Sequence, residues 1–133
     1  MRKIKFRAWD IPNNCFIPND YYVICNDGKS LGMMIKDWNN YQYGEHMYSP
    51  NQILSQFTGL KDKNSIDIYE SDIVEIWGGE QAQGFWEISI RGQFVYSYNA
   101  FVIKDKKDIH YDPSMFDATI QIIGNIYENP ELL

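Results

Sequence analysis

The chain has 133 residues, with 12 Lys and Arg against 18 Asp and Glu for a net charge of -6, and a hydrophobic content of 44%. That balance belongs to an ordinary globular domain and excludes collagen-like and low-complexity chains. It contains no apolar run near the ~20 residues that cross a bilayer, and an acidic chain is poorly suited to phosphate backbones, which draw their affinity from clustered cations.

A domain of this length should bury roughly 65–70% of the surface its unfolded chain exposes, enough for a core without staples. The start MRKIKFRAWD lacks the apolar segment of a signal peptide, which predicts a cytoplasmic protein without a membrane partner. In that compartment Cys15 and Cys25, with no CxxC, are read as packing residues, and a disulfide is not implied. The 10 Tyr, 7 Phe and 4 Trp lean the chain toward strands.

In RKIKFRAW (2–9), Ile4, Phe6 and Ala8 alternate with Lys3, Lys5, Arg7 and Trp9, the period-two pattern of a strand with one covered face. CFIPNDYYVIC (15–25) predicts two short strands bent at Pro18 to Asp20, followed by a turn at Asn26-Asp27-Gly28. The stretch 30–52, rich in Asn, Tyr and Gly, is expected as a long loop or irregular excursion within an N-terminal β and irregular lobe (1–55), ahead of a second lobe (56–133). Beyond it ILSQFT (53–58), IDIY (66–69), IVEIW (73–77), FWEISI (85–90), FVYSY (94–98), AFVIK (100–104) and TIQIIGNIY (119–127) recur with Gly, Asn or Asp between them, the rhythm of a small barrel or bent antiparallel sheet. Asp72 and Glu75 imitate a capping box, but Ile73, Val74, Ile76 and Trp77 leave only Glu75 polar, so a strand covered on both faces fits better than a helix. KDKKDIHYDP (104–113) reads as a charged loop and PSMFDA (113–118) as a single helical turn. There is no internal repeat.

Three blocks carry a resemblance: IKFRAWD (4–10), QFTGLKDKN with IYESDIVEI (56–76), and IIGNIYENPELL (122–133). Together, in this order, they resemble the signatures of the YopX family, small proteins encoded by phages and prophages of Gram-positive bacteria. The resemblance implies a mainly β fold with an SH3-type barrel in the C-terminal part, homo-oligomers of hexameric or larger type, and no established biochemical function. Two positions depart from the family pattern. Ser65 and Ser71 stand where a KDKNG turn and an IYEGD turn have glycine. Glycine there supplies positive φ, which a residue with a Cβ reaches only at a cost of about 1–2 kcal/mol.

Asp62, Asp67, Glu70 and Asp72 make 58–77 the segment with the most motif-like chemistry. A calcium loop beginning at Asp62 has Asn64 at its third position but fails at the fifth (Ile66), sixth (Asp67) and twelfth (Ile73). The plain reading is that Asp62 and Asn64 bond the backbone of a hairpin turn while Asp67, Glu70 and Asp72 face solvent or cap the next turn. His46 and His110 with Cys15 and Cys25 lie at no zinc-ligand spacing. His110-Tyr111-Asp112 has the makings of an oriented base but no accompanying nucleophile, and Gly78-Gly79 reads as a strand terminator, not a phosphate cradle. No catalytic, cofactor-binding or metal-binding residue is therefore assigned.

The best nucleic-acid feature is the face of Lys3, Lys5 and Arg7 with Trp9 beside it, where cations track phosphates and a ring stacks on a base. Edge-strand lysines serve as commonly to block unwanted pairing. Residues 1–66 carry 8 Lys and Arg against 6 Asp and Glu, whereas 67–133 carry 4 against 12, so the second half suits a basic partner or the first half of a neighbouring copy. Burying Leu132 and Leu133 contributes about 3–6 kcal/mol, less than the roughly 5–10 kcal/mol that ordering five tail residues costs, so a docked tail needs hydrogen bonds or a second subunit. The expectation is a non-enzymatic, mainly β, homo-oligomeric protein without cofactors that binds an unknown host or phage protein. The alternative is a nucleic-acid-binding module built on the SH3-like barrel and the basic N-terminal strand.

Overall fold

A computed structural model describes residues 3–18, 22–24, 31–33, 52–77, 89–115 and 119–133. The protein is mainly β, as expected: among the described residues there are strands and single-turn 3-10 helices but no α-helix. The chain divides into two compact units, one of Met1–Lys5 with Gln56–Leu133 and the other of Phe6–Ser55.

In the unit of Phe6–Ser55, β1 (Phe6–Asp10) pairs antiparallel with β2 (Cys15–Ile17), placing Ala8 opposite Ile17 and Trp9 opposite Phe16. The connecting turn carries Asn14 at φ 57, a residue type that tolerates the left-handed region. Ala8 is fully buried against Ile17 and Leu54, the latter from β5 (Gln52–Lys61), whose residues 52–55 belong to this unit. Trp9 is buried as well, so the alternation that suggested one covered face gives way to cover on both sides. A further hairpin of β3 (Tyr22–Ile24) and β4 (Leu31–Met33) pairs Val23 with Gly32. β4 corrects the expectation of a loop from residue 30, since the three residues Leu31-Gly32-Met33 find a partner that their own pattern does not announce. The rest of that stretch, with the turn at 26–28, Cys25 and His46, lies outside the described residues.

In the larger unit, residues 56–61 of β5 pair with β6 (Asp67–Tyr69) around an irregularity between Phe57 and Lys61. Gly59 sits there at φ 87, and the Thr58 hydroxyl stands in for the interrupted ladder, donating to Ile68 O at 2.8 Å and accepting from Leu60 N–H at 3.2 Å. A five-stranded antiparallel sheet follows, in the order β10-β9-β8-β7-β11. Its strands are β7 (Asp72–Trp77), β8 (Ser89–Ser97), β9 (Ala100–Asp105), β10 (His110–Tyr111) and β11 (Thr119–Asn125).

The pattern DIVEIW forms β7 as expected, buried on both faces: Val74 and Ile76 on one, Ile73 on the other. Val74 and Ile76 meet Ile68, Phe94 and Ile103, all with at most 1% of their surface exposed, to form the core, with Phe101, Tyr111, Ile120 and Ile122 packed around it. Each such side chain contributes about 1.5–3 kcal/mol by leaving water. FVYS (94–97) becomes part of one nine-residue strand, leaving Tyr98 outside it, and PSM (113–115) makes the expected single helical turn. β10 corrects the reading of 104–113 as a loop throughout: Asp105 caps the turn by accepting N–H groups from Lys107 and Ile109, both at 2.9 Å, which folds His110 and Tyr111 back onto β9.

Candidate functional site

The carboxylate-rich segment 58–77 is where chemistry would be sought, and its acids are committed to the backbone and to lysines. Asp62 is only 7% exposed. Its Oδ1 accepts N–H groups from Asn64 at 2.8 Å and Ile66 at 3.0 Å, and Oδ2 accepts from Ile122 at 3.4 Å. Beside it Lys63 N–H donates to Ile120 O, so one turn closes itself and ties onto β11. Burial, the largest single influence, pushes the Asp62 carboxyl up, but the Ile66, Asn64 and Ile122 donors with the nearby Lys63 together outweigh it and hold it below the ordinary aspartate range.

Asp67 is bridged by two cations, Lys5 and Lys61, the latter at 2.6 Å. The bond from Lys5, then that from Lys61, hold the Asp67 carboxyl below its usual range, and the same bond raises the Lys5 ammonium above its own. Glu70 exchanges bonds with Gln56: its N–H donates to Gln56 O at 2.9 Å and its Oε1 accepts from Gln56 N–H at 3.1 Å. Asp72, 2% exposed, accepts Tyr69 N–H at 2.9 Å and takes the capping alternative.

Both serines hold the left-handed backbone that glycine favours, Ser65 at φ 64 and Ser71 at φ 74. Ser65 is exposed, and its N–H closes the turn onto Asp62 O at 2.9 Å. Ser71 is buried; its N–H donates to Phe94 O, its carbonyl accepts Ile126 N–H, and its hydroxyl lies 3.0 Å from the Tyr127 hydroxyl. Ser65→Gly should therefore stabilise by up to about 1 kcal/mol, the relieved left-handed strain less the glycine entropy. Ser71→Gly should gain the same relief but lose about 1 kcal/mol of hydrogen bond, ending near neutral. Urea midpoints of the two variants check this, and a fall for Ser65→Gly would contradict it.

The remaining candidates do not assemble. Asp112 turns away from His110 to accept the Ser114 N–H at 2.8 Å and hydroxyl at 2.7 Å, and Tyr111 donates its hydroxyl to Asp105 at 3.1 Å. Among the described residues no group of three or more His, Cys, Asp and Glu side chains is gathered for a metal. Cys15 is free and exposed. On the basic strand, Lys5 lies 4.3 Å over the Phe57 ring besides pairing with Asp67, Arg7 stacks 4.4 Å over Phe16, and Trp9 is 3% exposed with its edge on Phe16. A ring so buried has no face to offer a base.

Two features escape the sequence reading. Tyr98 and Asn99 form the two-residue turn between β8 and β9, at φ 50 and φ 62. Asn suits this turn, whereas a bulky Tyr there costs about 1–2 kcal/mol, and its ring is 92% exposed. FVYSY looks like an uninterrupted strand, and only the following Asn99 hints at the turn. The second is an open groove of about 530 Å³ at the other end of β8, with Ile90, Tyr111 and Leu132 in its apolar part and a balanced set of charges, Arg91, Lys106 and Lys107 against Glu75, Asp105 and Glu131. The C-terminal turn Pro130–Leu132 borders it, held by Arg91 donating to Leu132 O at 3.4 Å and by Asn129 N–H donating to Asn125 O at 2.9 Å. These are hydrogen bonds of the kind that the leucines alone could not replace.

A family model described as YopX protein matches residues 5–133. Among solved structures, protein yopX from Bacillus subtilis is 24% identical with a TM-score of 0.65, covering 100% of this chain and 99% of its own. Protein EF1440 from Enterococcus faecalis is 23% identical with a TM-score of 0.63 over the same shares. At these identities the likeness speaks for the fold. No curated protein matches.

Proposed function

Because the chain belongs to the YopX family, we propose that it is a non-enzymatic phage or prophage protein that assembles with copies of itself and acts by binding a macromolecule of host or phage during infection. The observation that carries this reading is the use of the acidic segment: Asp62, Asp67, Glu70 and Asp72 bind backbone N–H groups or lysines, so the densest cluster of reactive groups serves as scaffold. What remains on the surface is recognition chemistry, an exposed tyrosine tip and an excess of acids over bases in residues 67–133. Such a surface suits a basic protein partner and speeds its approach at low salt.

The test has two parts. Light scattering on the purified protein should give a mass of several protomers, and a monomer would remove self-assembly. Crosslinking of tagged protein in infected cells, followed by identification of attached protein and nucleic acid, should return protein. Recovery of DNA or RNA at moderate salt, lost when Lys3, Lys5 and Arg7 are replaced, would favour the nucleic-acid module instead. Deleting 129–133 should reduce the assembled mass if the tail bridges subunits. An unchanged mass would confine the tail to its contacts with Arg91 and Asn125.

A further inference from the structure

The sheet of the larger unit is uneven at one end. β8 pairs with β7 as far as Ser89, opposite Trp77, but its pairing with β9 stops at Gly92, opposite Asp105. Residues 89–91 of β8 therefore have a strand on one side and, among the described residues, none on the other. The ladder ends there because Asp105 accepts the Lys107 and Ile109 N–H groups and turns the chain away, so that Lys106, next in line to face Arg91, lies in a turn.

Two independent observations fix which backbone groups this leaves open. Phe94 O accepts the N–H of Ser71, just ahead of β7, at 2.9 Å, so the backbone groups of Phe94 face β7, and by strand alternation those of Gly92 and Ile90 do too. At the hairpin, the two-residue turn of Tyr98 and Asn99 makes Ser97 and Ala100 a hydrogen-bonded pair, and alternation from Ser97 turns the backbone of Val95, Gln93, Arg91 and Ser89 toward the β9 side. The N–H and C=O groups of Ser89 and Arg91 thus project from an open edge. The groove lies along that edge: its lining takes Ile90, Asp105 and Tyr111 from the face of the core, and Glu75 and Arg91 from the opposite face. Two of its charges are engaged within the chain, Arg91 with Glu75 at 3.7 Å and Leu132 O at 3.4 Å, and Asp105 with backbone N–H groups and the Tyr111 hydroxyl.

We propose that residues 89–91 take up an extended segment of a partner protein, which adds to β8 as a further strand in line with β9. Strand addition of this kind draws its affinity from main-chain hydrogen bonds and its selectivity from alternate side chains. Ser89 and Arg91 each supply a donor and an acceptor. The partner residue opposite Ile90 lies on the core face beside Ile90 and Tyr111, which selects an apolar side chain there. The lining charges balance, so docking on this track selects no net charge and should change little with salt; the acidity of residues 67–133 acts on approach instead. An extended polypeptide is the fitting occupant because it alone presents donors and acceptors at the spacing of a strand edge, whereas a nucleic acid would meet the carboxylates of Glu75, Asp105 and Glu131. The proposal rests on the reading that this protein acts by binding another protein, and it is independent of self-assembly.

Hydrogen exchange on the full chain tests the edge. In the free protein the Ile90 N–H, turned to β7, should be protected, whereas those of Ser89 and Arg91 should exchange as freely as a loop. Protection of Ser89 and Arg91 would mean that the edge is already covered, by the chain itself or by a second copy, and would overturn the proposal. The probe is the blocked peptide acetyl-Thr-Val-Thr-Val-Thr-amide at millimolar concentration, in which a valine opposite Ile90 turns the threonine backbones toward the edge. It should slow exchange at Ser89 and Arg91 at low and high salt alike, and the same peptide N-methylated at its threonines should not. Slowing by both peptides, or by neither, would overturn the proposal. Ser89→Pro removes one outward N–H at the first residue of a strand, where proline is tolerated, and should weaken the peptide about five- to tenfold, the contribution of one hydrogen bond. Ser89→Ala should bind as the wild type does, and equal affinity of all three would overturn the proposal; the N-methylated peptide keeps the test in force if Ser89→Pro does not fold. In infected cells, proteins crosslinked to the wild type should be lost from Ser89→Pro. Partners attached equally to both would overturn this track alone, and no attached protein at all would overturn the binding reading and the track with it.

Discussion

Gly92→Ala is expected to lower the melting temperature by about 10 °C, from a loss of about 3 kcal/mol at the overpacking end of core substitutions. A Cβ at this buried position would come to 2.6 Å from Ile103 Cγ2 and 2.7 Å from Lys104 O, with Lys104 C at 3.0 Å. A flexible side chain could yield, but two of these atoms are backbone, held by the pairing of Gly92 with Asp105, Gln93 with Lys104 and Phe94 with Ile103. Relief would therefore require prising β9 from β8 beside Ile103, a member of the core. Circular dichroism on heating measures the effect, and a shift of a degree or two would show that β9 moves freely.

Asp62→Asn should destabilise by about 2 kcal/mol at neutral pH, because it replaces a carboxylate accepting three backbone N–H groups by an amide with a single acceptor oxygen. The pH dependence follows from the direction of the shift. The folded carboxyl is held below its unfolded value, so its stabilisation is fully present above about pH 4, the ordinary aspartate value, and is lost as pH falls through the lower folded value. Asp67 and Asp105 are shifted the same way, Asp67 chiefly by its bond from Lys5 and Asp105 chiefly by the Ile109 N–H, so the whole acid limb should have this sign. Urea midpoints of wild type and Asp62→Asn should differ at neutral pH and converge in acid. A gap of constant size would mean that the carboxylate charge contributes nothing.

The strands that were legible are those whose signal is local. DIVEIW announces a doubly covered strand because nearly every residue is apolar, and such a strand needs no knowledge of its neighbours. β10 was illegible because two residues carry no period; the Asp105 cap and the β9 edge create it. Asp62 and Asp72 bond the turn backbone as their spacing suggests, whereas Asp67 is taken by Lys5 and Lys61, and the burial of Asp62 and Asp72 has no local signal. The Ile122 donor to Asp62 lies 60 residues away, Ser71 is bonded by Phe94, Ile126 and Tyr127, and Asp72 is paired with Asn125 of β11. The serine backbones became a question only through the family pattern, since nothing local distinguishes a left-handed serine. Tyr98 was hidden for the opposite reason: a residue fit for a strand occupies a turn, and local preference pointed to the wrong element.

The assignment of residues 1–5 to the unit that otherwise begins at Gln56 bears on the order of events during synthesis. Lys5 bonds Phe57 N–H through its carbonyl and Asp67 through its ammonium, a partner 62 residues later. At about 5–20 residues per second the ribosome delivers that partner roughly 3–12 s after Lys5. The intervening unit Phe6–Ser55 can begin to collapse in that interval, whereas the segment before it must wait for a strand not yet made. Contacts of such long reach are slow to form because the loop must close before they stabilise anything. Slowing translation between residues 56 and 67 should therefore prolong the time for which the N-terminal segment is open to proteases, without altering the protein that finally results.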